Sequence, residues 1–227
     1  EILRCLVGSE MCIRDSIMTT LEELGLLKMD FLGLRTLTVI QNAVLLARRK
    51  QPELNINQID YNDQKVLDYI GTGKTDGVFQ LESAGMKGFM KELKPHNLED
   101  VIAGISLYRP GPMDFIPQYI RGKNDSSSIT YDCPQLEPIL APTYGCIVYQ
   151  EQVMQIVRDL AGYSLGRSDL LRRAMSKKKA AVMEKERKIF IYGDEETGVP
   201  GCIKNGIDEQ TANKIYDEMI DFAKYAF

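Results

Sequence analysis

The chain has 227 residues, 44% of them hydrophobic and 26% charged, with a net charge of −4; such values are ordinary for a globular sequence and suit one large domain or two small ones. No apolar run approaches the roughly 20 residues of a membrane span, and the N-terminal apolar stretch is too short for a signal peptide. Five scattered cysteines without a C-x-x-C pair exclude a disulfide framework or zinc site and fit a reducing cytosol, and a lone histidine, His96, leaves carboxylate and magnesium chemistry as the metal chemistry available.

Residues 1–16 read differently from the rest. The segment from Leu6 to Asp15 resembles a translated sequencing adapter, so a non-native segment is expected there and genuine sequence from about Ile17. Thr20 and Glu23 make a capping-box pattern for a very short helix stopped by Gly25. Residues 27–31 then alternate, placing Leu27, Met29 and Phe31 on one face of a strand and Lys28 and Asp30 on the other. The apolar neighbourhood, with Leu32 and Leu34, predicts a buried strand.

Leu37, Ile40, Val44 and Ala47 recur at helical spacing, and the helix closes on Arg48, Arg49 and Lys50 before Pro52. Further helices are predicted over Asp63–Ile70, Ala84–Leu93 and Leu98–Leu107, the last ended by a rigid turn through Arg109 and Pro112. The stretch from Arg121 to Pro142 reads as loop. Tyr149, Val153, Ile156 and Leu160 mark an amphipathic helix, a basic helical stretch follows, 193–206 is a loop, and Asp208 caps a last helix carrying Ala212, Ile215, Met219 and Phe222 on one stripe. The fold class is therefore mainly α with a short α/β entry.

Several patterns carry chemistry and each has a plain structural alternative. Residues 71–75 suggest a phosphate loop, but Asp68 stands where G-x-x-x-x-G-K-[ST] needs glycine and no strand precedes it, so a turn between helices is the better reading. Lys28 and Asp30 are either the solvated side of a strand or a pair in which a carboxylate holds Mg²⁺ while an ammonium meets a triphosphate. Between Arg167 and Lys188 nine bases face three acids. This is either a solvated helix face or a phosphate-binding element, the adjacent Arg172 and Arg173 suiting bidentate recognition. Gln80, Glu82 and Ser83 read first as a helix cap and otherwise as a polar loop near a site. His96 reads as a surface residue.

Taken in order, residues 28–38 (KMDFLGLRTLT), 77–83 (GVFQLES), 108–112 (YRPGP), 144–152 (YGCIVYQEQ) and 170–179 (LLRRAMSKKK) resemble the alpha subunit of bacterial DNA polymerase III, a C-family replicative polymerase. The resemblance implies the terminal strand of a nucleotidyltransferase-like palm (17–35) followed by a large helical fingers domain (36–227) truncated at its C-terminal side. It implies that Asp30 is one of three aspartates binding two Mg²⁺ ions, the other two lying in an Asp-x-Asp motif upstream. It further implies that Lys28, Arg172, Arg173 and Lys177 meet the incoming nucleotide, with Gln80, Ser83, Arg109 and Tyr225 in the same cleft, and that Lys178 and Lys179 contact DNA. The implied partners are primer–template DNA, deoxynucleoside triphosphates and, through regions outside this chain, replicase subunits such as the sliding clamp; the implied location is cytoplasmic. A non-catalytic helical module that binds nucleic acid is the alternative, separated from the first reading by the upstream Asp-x-Asp.

Overall fold

A computed structural model describes residues 17–26, 31, 33–109, 112–176 and 180–226. Two units divide between Ile59 and Asp60, and the mainly α class holds throughout: among the described residues the only β pairing is an isolated bridge between Asp194 and Val199.

In the first unit, α1 (Met18–Glu23) starts before Thr20, because Leu21 already donates its N–H to the Ile17 carbonyl at 3.2 Å. Thr20 is therefore inside the helix and not its cap. The stop is as expected: Gly25 sits at φ +72°, and the Leu26 N–H returns to the Leu21 carbonyl at 3.0 Å, the closing bond of a left-handed C-terminal cap. Lys28 and Asp30 of the expected strand lie outside the described residues. Leu27 and Met29 lie outside them too; the described neighbours Phe31 and Leu34 are 94% and 53% exposed. Helix α2 (Arg35–Ala47) forms as its periodicity requires, with none of its residues buried.

The second unit holds the core. Helix α3 (Gln64–Gly71) is capped by Asp63, whose carboxylate accepts the Lys65 N–H at 2.9 Å. The turn that follows is a helix-to-helix connection, as the rejected phosphate-loop pattern implied; Thr72 Oγ1 folds back on the Tyr69 carbonyl at 2.7 Å. Helix α4 (Ala84–Leu93) buries Met86, Phe89, Met90 and Leu93 against Ala103 and Leu107 of α5 (Leu98–Leu107). Asn97 caps α5 by accepting the Asp100 N–H at 2.8 Å, and Asp100 reciprocates by accepting from the His96 N–H at 2.8 Å. His96 itself is exposed, as read.

The predicted loop from Arg121 to Pro142 is the clearest departure. Helix α6 (Ile116–Asn124) runs through its start, α7 (Glu137–Leu140) lies near its end, and short 3₁₀ turns fill the rest. Pro134, Pro138 and Pro142 in this stretch occupy first turns, where a missing N–H costs nothing. Helices α8 (Gln150–Ala161), α9 (Leu165–Ser176), α10 (Ala180–Tyr192) and α11 (Glu209–Ala226) then enclose one apolar cluster. Val153, Ile156 and Leu160 from α8 and Ala212, Ile215, Met219 and Phe222 from α11 are all buried in it. Asp208 caps α11 as expected, accepting the Thr211 N–H at 2.9 Å.

Candidate functional site

Two of the sequence motifs meet where α4 begins and α5 ends. Ser83 is the N-cap of α4, its hydroxyl accepting the Met86 N–H at 3.2 Å, so the capping reading is right for this residue. The loop before it is closed by buried Thr75, whose hydroxyl donates to the Leu81 carbonyl at 2.5 Å. Gln80 stands exposed at its tip with φ at +65°, a left-handed conformation that costs a residue with a Cβ on the order of 1 kcal/mol.

Chain exit from α5 uses an inverse γ-turn. Tyr108 has φ −78° and ψ 63°, and the Arg109 N–H donates to the Leu107 carbonyl at 2.8 Å. Tyr108 stacks on Phe89 with ring centroids 6.0 Å apart, and its hydroxyl lies over Gly85, where an added Cβ would come within 1.6 Å. Glycine is thus required in the first turn of α4 for the two motifs to meet. The turn leaves Arg109 exposed on the wall of a cavity of about 320 Å³, shared with Ser106, Pro112, Tyr149, Gln150 and Glu151.

Gln152 sets the opposite wall. This buried side chain accepts the Val148 and Tyr149 N–H groups at 2.8 and 2.9 Å, and donates to Thr143 Oγ1 at 2.7 Å and the Ile139 carbonyl at 3.2 Å. Four good partners fix the chain leading into α8 and hence the position of Tyr149 and Gln150. Burial raises the Tyr149 phenol above its usual range, with Glu99 and Asp100 adding to the effect, so it is a neutral hydrogen-bonding group. Sequence reading did not single out Gln152; a glutamine beside an apolar run carries no signal of the backbone groups it will meet.

The basic element of α9 connects to this cavity through Gln150. Arg172 Nη1 donates to Gln150 Oε1 at 3.4 Å, while its Nε and Nη2 donate to Asp169 Oδ1 at 3.0 and 2.7 Å. Arg173 Nε takes the other oxygen of the same carboxylate at 2.8 Å. Hydrogen bonding from Arg172 is the main cause holding the Asp169 carboxyl below its ordinary range, and the charge of Arg173 helps.

The acids of the basic run are therefore partners and not merely a smaller opposing charge. Arg167 donates to both oxygens of Glu186 at 2.9 and 3.1 Å, and its guanidinium lies 5.0 Å from the centre of the Tyr163 ring. Arg187 pairs with Asp217 and lies 4.9 Å from the centre of the Tyr216 ring. These two arginines brace α9, α10 and α11, whereas Arg172 and Arg173 stand together near the cavity. Lys28, Asp30, Lys177, Lys178 and Lys179 lie outside the described residues, as does the side chain of Tyr225. Among the described residues no group of three His, Cys, Asp or Glu could hold a metal ion, and no helix is long and apolar enough to cross a membrane.

A helical domain with an arginine-edged cavity is the class that fold and site define. Residues 36–198 match the family model of the bacterial DNA polymerase III alpha subunit finger domain, and the chain belongs to that family. It is 48% identical to a DNA polymerase III subunit alpha of Halalkalibacterium halodurans, over 96% of this chain and 19% of the relative. Identity to the subunits of the same name from Staphylococcus aureus and Bacillus subtilis is 48% and 46%, over 92% of this chain and 19% and 18% of theirs. The chain thus spans about a fifth of the length of the relatives it matches.

Proposed function

We propose that this chain is part of a template-directed DNA polymerase and that its α9 arginines receive the triphosphate of the incoming deoxynucleotide. One observation carries the reading: Arg172 and Arg173 are fixed side by side on Asp169, and Arg172 reaches Gln150 of the cavity edged by Arg109. Guanidiniums held in a fixed orientation favour phosphate oxygens at little further entropic cost. Residues 17–35 would end the palm and 36–227 would form the fingers, with Gln80, Ser83 and Tyr225 in the same cleft, Lys28 and Lys177 near the phosphates, and Lys178 and Lys179 toward DNA. The parent protein would act in the cytoplasm with primer–template DNA and a sliding clamp bound outside this chain.

In the reaction a primer 3′-hydroxyl attacks the α-phosphorus and pyrophosphate leaves. Two Mg²⁺ ions supply charge stabilisation for such a step. This chain offers Asp30 toward them, and the remaining carboxylates would come from elsewhere in the parent protein. The arginines' part is electrostatic: they neutralise charge on the triphosphate and keep it oriented.

The test is nucleotide titration of the intact parent polymerase carrying Arg172→Ala and Arg173→Ala. The expected result is a rise in KM for nucleotide of at least about tenfold for the pair, the value of one charge-assisted contact. An unchanged KM would remove both residues from the site. The isolated 227-residue chain is expected to give no primer extension, since it carries one metal carboxylate of the implied three; measurable extension would overturn the assignment of Asp30.

A further inference from the structure

Asp169 has no role in the reading above beyond being the partner of two arginines, and its geometry is specific. A guanidinium has five N–H donors, one on Nε and two on each terminal nitrogen. In Arg172 the Nε donor and one Nη2 donor go to Asp169, and one Nη1 donor goes to Gln150. One N–H on each terminal nitrogen has no partner among the described residues, and charge-assisted donors of this kind suit the oxygens of a phosphate. Arg173 meets Asp169 through Nε at 2.8 Å and its side chain is 63% exposed, which leaves the end of its guanidinium open to solvent.

We propose that Asp169, assisted by Gln150, is a positioning residue for nucleotide binding, holding both guanidiniums so that their unoccupied edges present to the triphosphate. This rests on the reading of Arg172 and Arg173 as the phosphate-binding pair. Two features favour it over an ordinary surface ion pair. First, one carboxylate serves two adjacent arginines with separate oxygens, at i,i+3 and i,i+4 along α9, which fixes their relative orientation. Second, the third contact on Arg172 comes from another helix, at a residue that lines the cavity with Arg109. An exposed pair formed only for stability needs neither.

Without Asp169 both side chains recover their rotamer freedom, which must then be lost on binding nucleotide. The expected signature is in affinity, with turnover little changed once nucleotide is bound.

The experiment is nucleotide titration of the intact parent polymerase bearing Asp169→Asn. KM for nucleotide should rise about tenfold, as for loss of one charge-assisted orienting contact, with kcat within about twofold. Asp169→Glu, which keeps a carboxylate on the same turn, should recover part of the loss. Adding Asp169→Asn to the Arg172→Ala, Arg173→Ala protein should change KM no further, because the residues that it positions are gone. An unchanged or lowered KM in Asp169→Asn, while the arginine pair raises it, would overturn the proposal; a lowered value would mean that the carboxylate competes with the phosphates. If the arginine variants leave KM unchanged, the phosphate-site reading fails first and the proposal falls with it. Should Asp169→Asn fail to fold, Gln150→Ala serves: it removes only the Nη1 contact and should raise KM about threefold, and no change would overturn the proposal.

Discussion

Replacing Gln152 with leucine tests how the wall of the cavity is held. Leucine has similar volume, so it leaves little cavity, but it removes both acceptor interactions to the Val148 and Tyr149 N–H groups and both donor interactions to Thr143 and Ile139. Thr143 still donates to the Cys146 carbonyl at 2.6 Å, so its hydroxyl keeps a partner. The orphaned N–H groups decide the outcome. An unsatisfied buried donor costs about 1–3 kcal/mol. Val148 is buried and Tyr149 half-buried, so the pair should cost about 3 kcal/mol after the small gain from an apolar side chain. With an m-value of about 2 kcal/mol/M in urea, the midpoint should fall by roughly 1.5 M at unchanged slope. Exposed Gln155 on the same helix is the control, and its leucine variant should shift the midpoint by less than about 0.3 M. A Gln152→Leu protein that unfolds with the control would refute the claim that this side chain holds the entry to α8.

Two further outcomes follow from buried charge and buried thiols. Lys123 and Asp100 form an ion pair at 3.4 Å with side chains only 3% and 2% exposed; Lys123→Met leaves the carboxylate without its cation and should destabilise by about 3 kcal/mol in the same urea assay, whereas a loss below about 1 kcal/mol would refute the pairing. Burial pushes the Cys146 and Cys202 thiols up to about 12, so at pH 8 roughly one in ten thousand is thiolate. Because the folded state holds these protons more tightly than the unfolded chain, their contribution to stability is full below about pH 8.5 and is lost as the pH climbs toward 12. Peptide-resolved alkylation at pH 8 should spare both until urea unfolds the chain; equal labelling of folded and unfolded protein would contradict their burial.

Much of the helical framework was legible because helix signals are local. The stripes of α8 and α11, the caps Ser83 and Asp208, and the stop at Gly25 each lie within a turn or two of what they control. Reading failed where one residue type has two uses. Pro134, Pro138 and Pro142 look like breakers, yet each opens a turn of helix, and which role wins depends on what the turn packs against.

For the candidate site, the sequence by itself determined the family and put Arg172 and Arg173 among the residues to watch, since ordered motifs and adjacent guanidiniums are visible in one dimension. Tertiary structure decided which charges are spent on the fold. Arg167 and Glu186 are nineteen positions apart and Arg187 and Asp217 thirty apart, so neither pairing has a local signature. It also brought Tyr108 onto Gly85, joining two motifs, and Gln150 onto Arg172, joining α9 to the cavity. The physical reason is one of range. Backbone periodicity and capping act within a few residues, whereas the partner of a side chain is chosen by whichever distant helix the hydrophobic core brings against it.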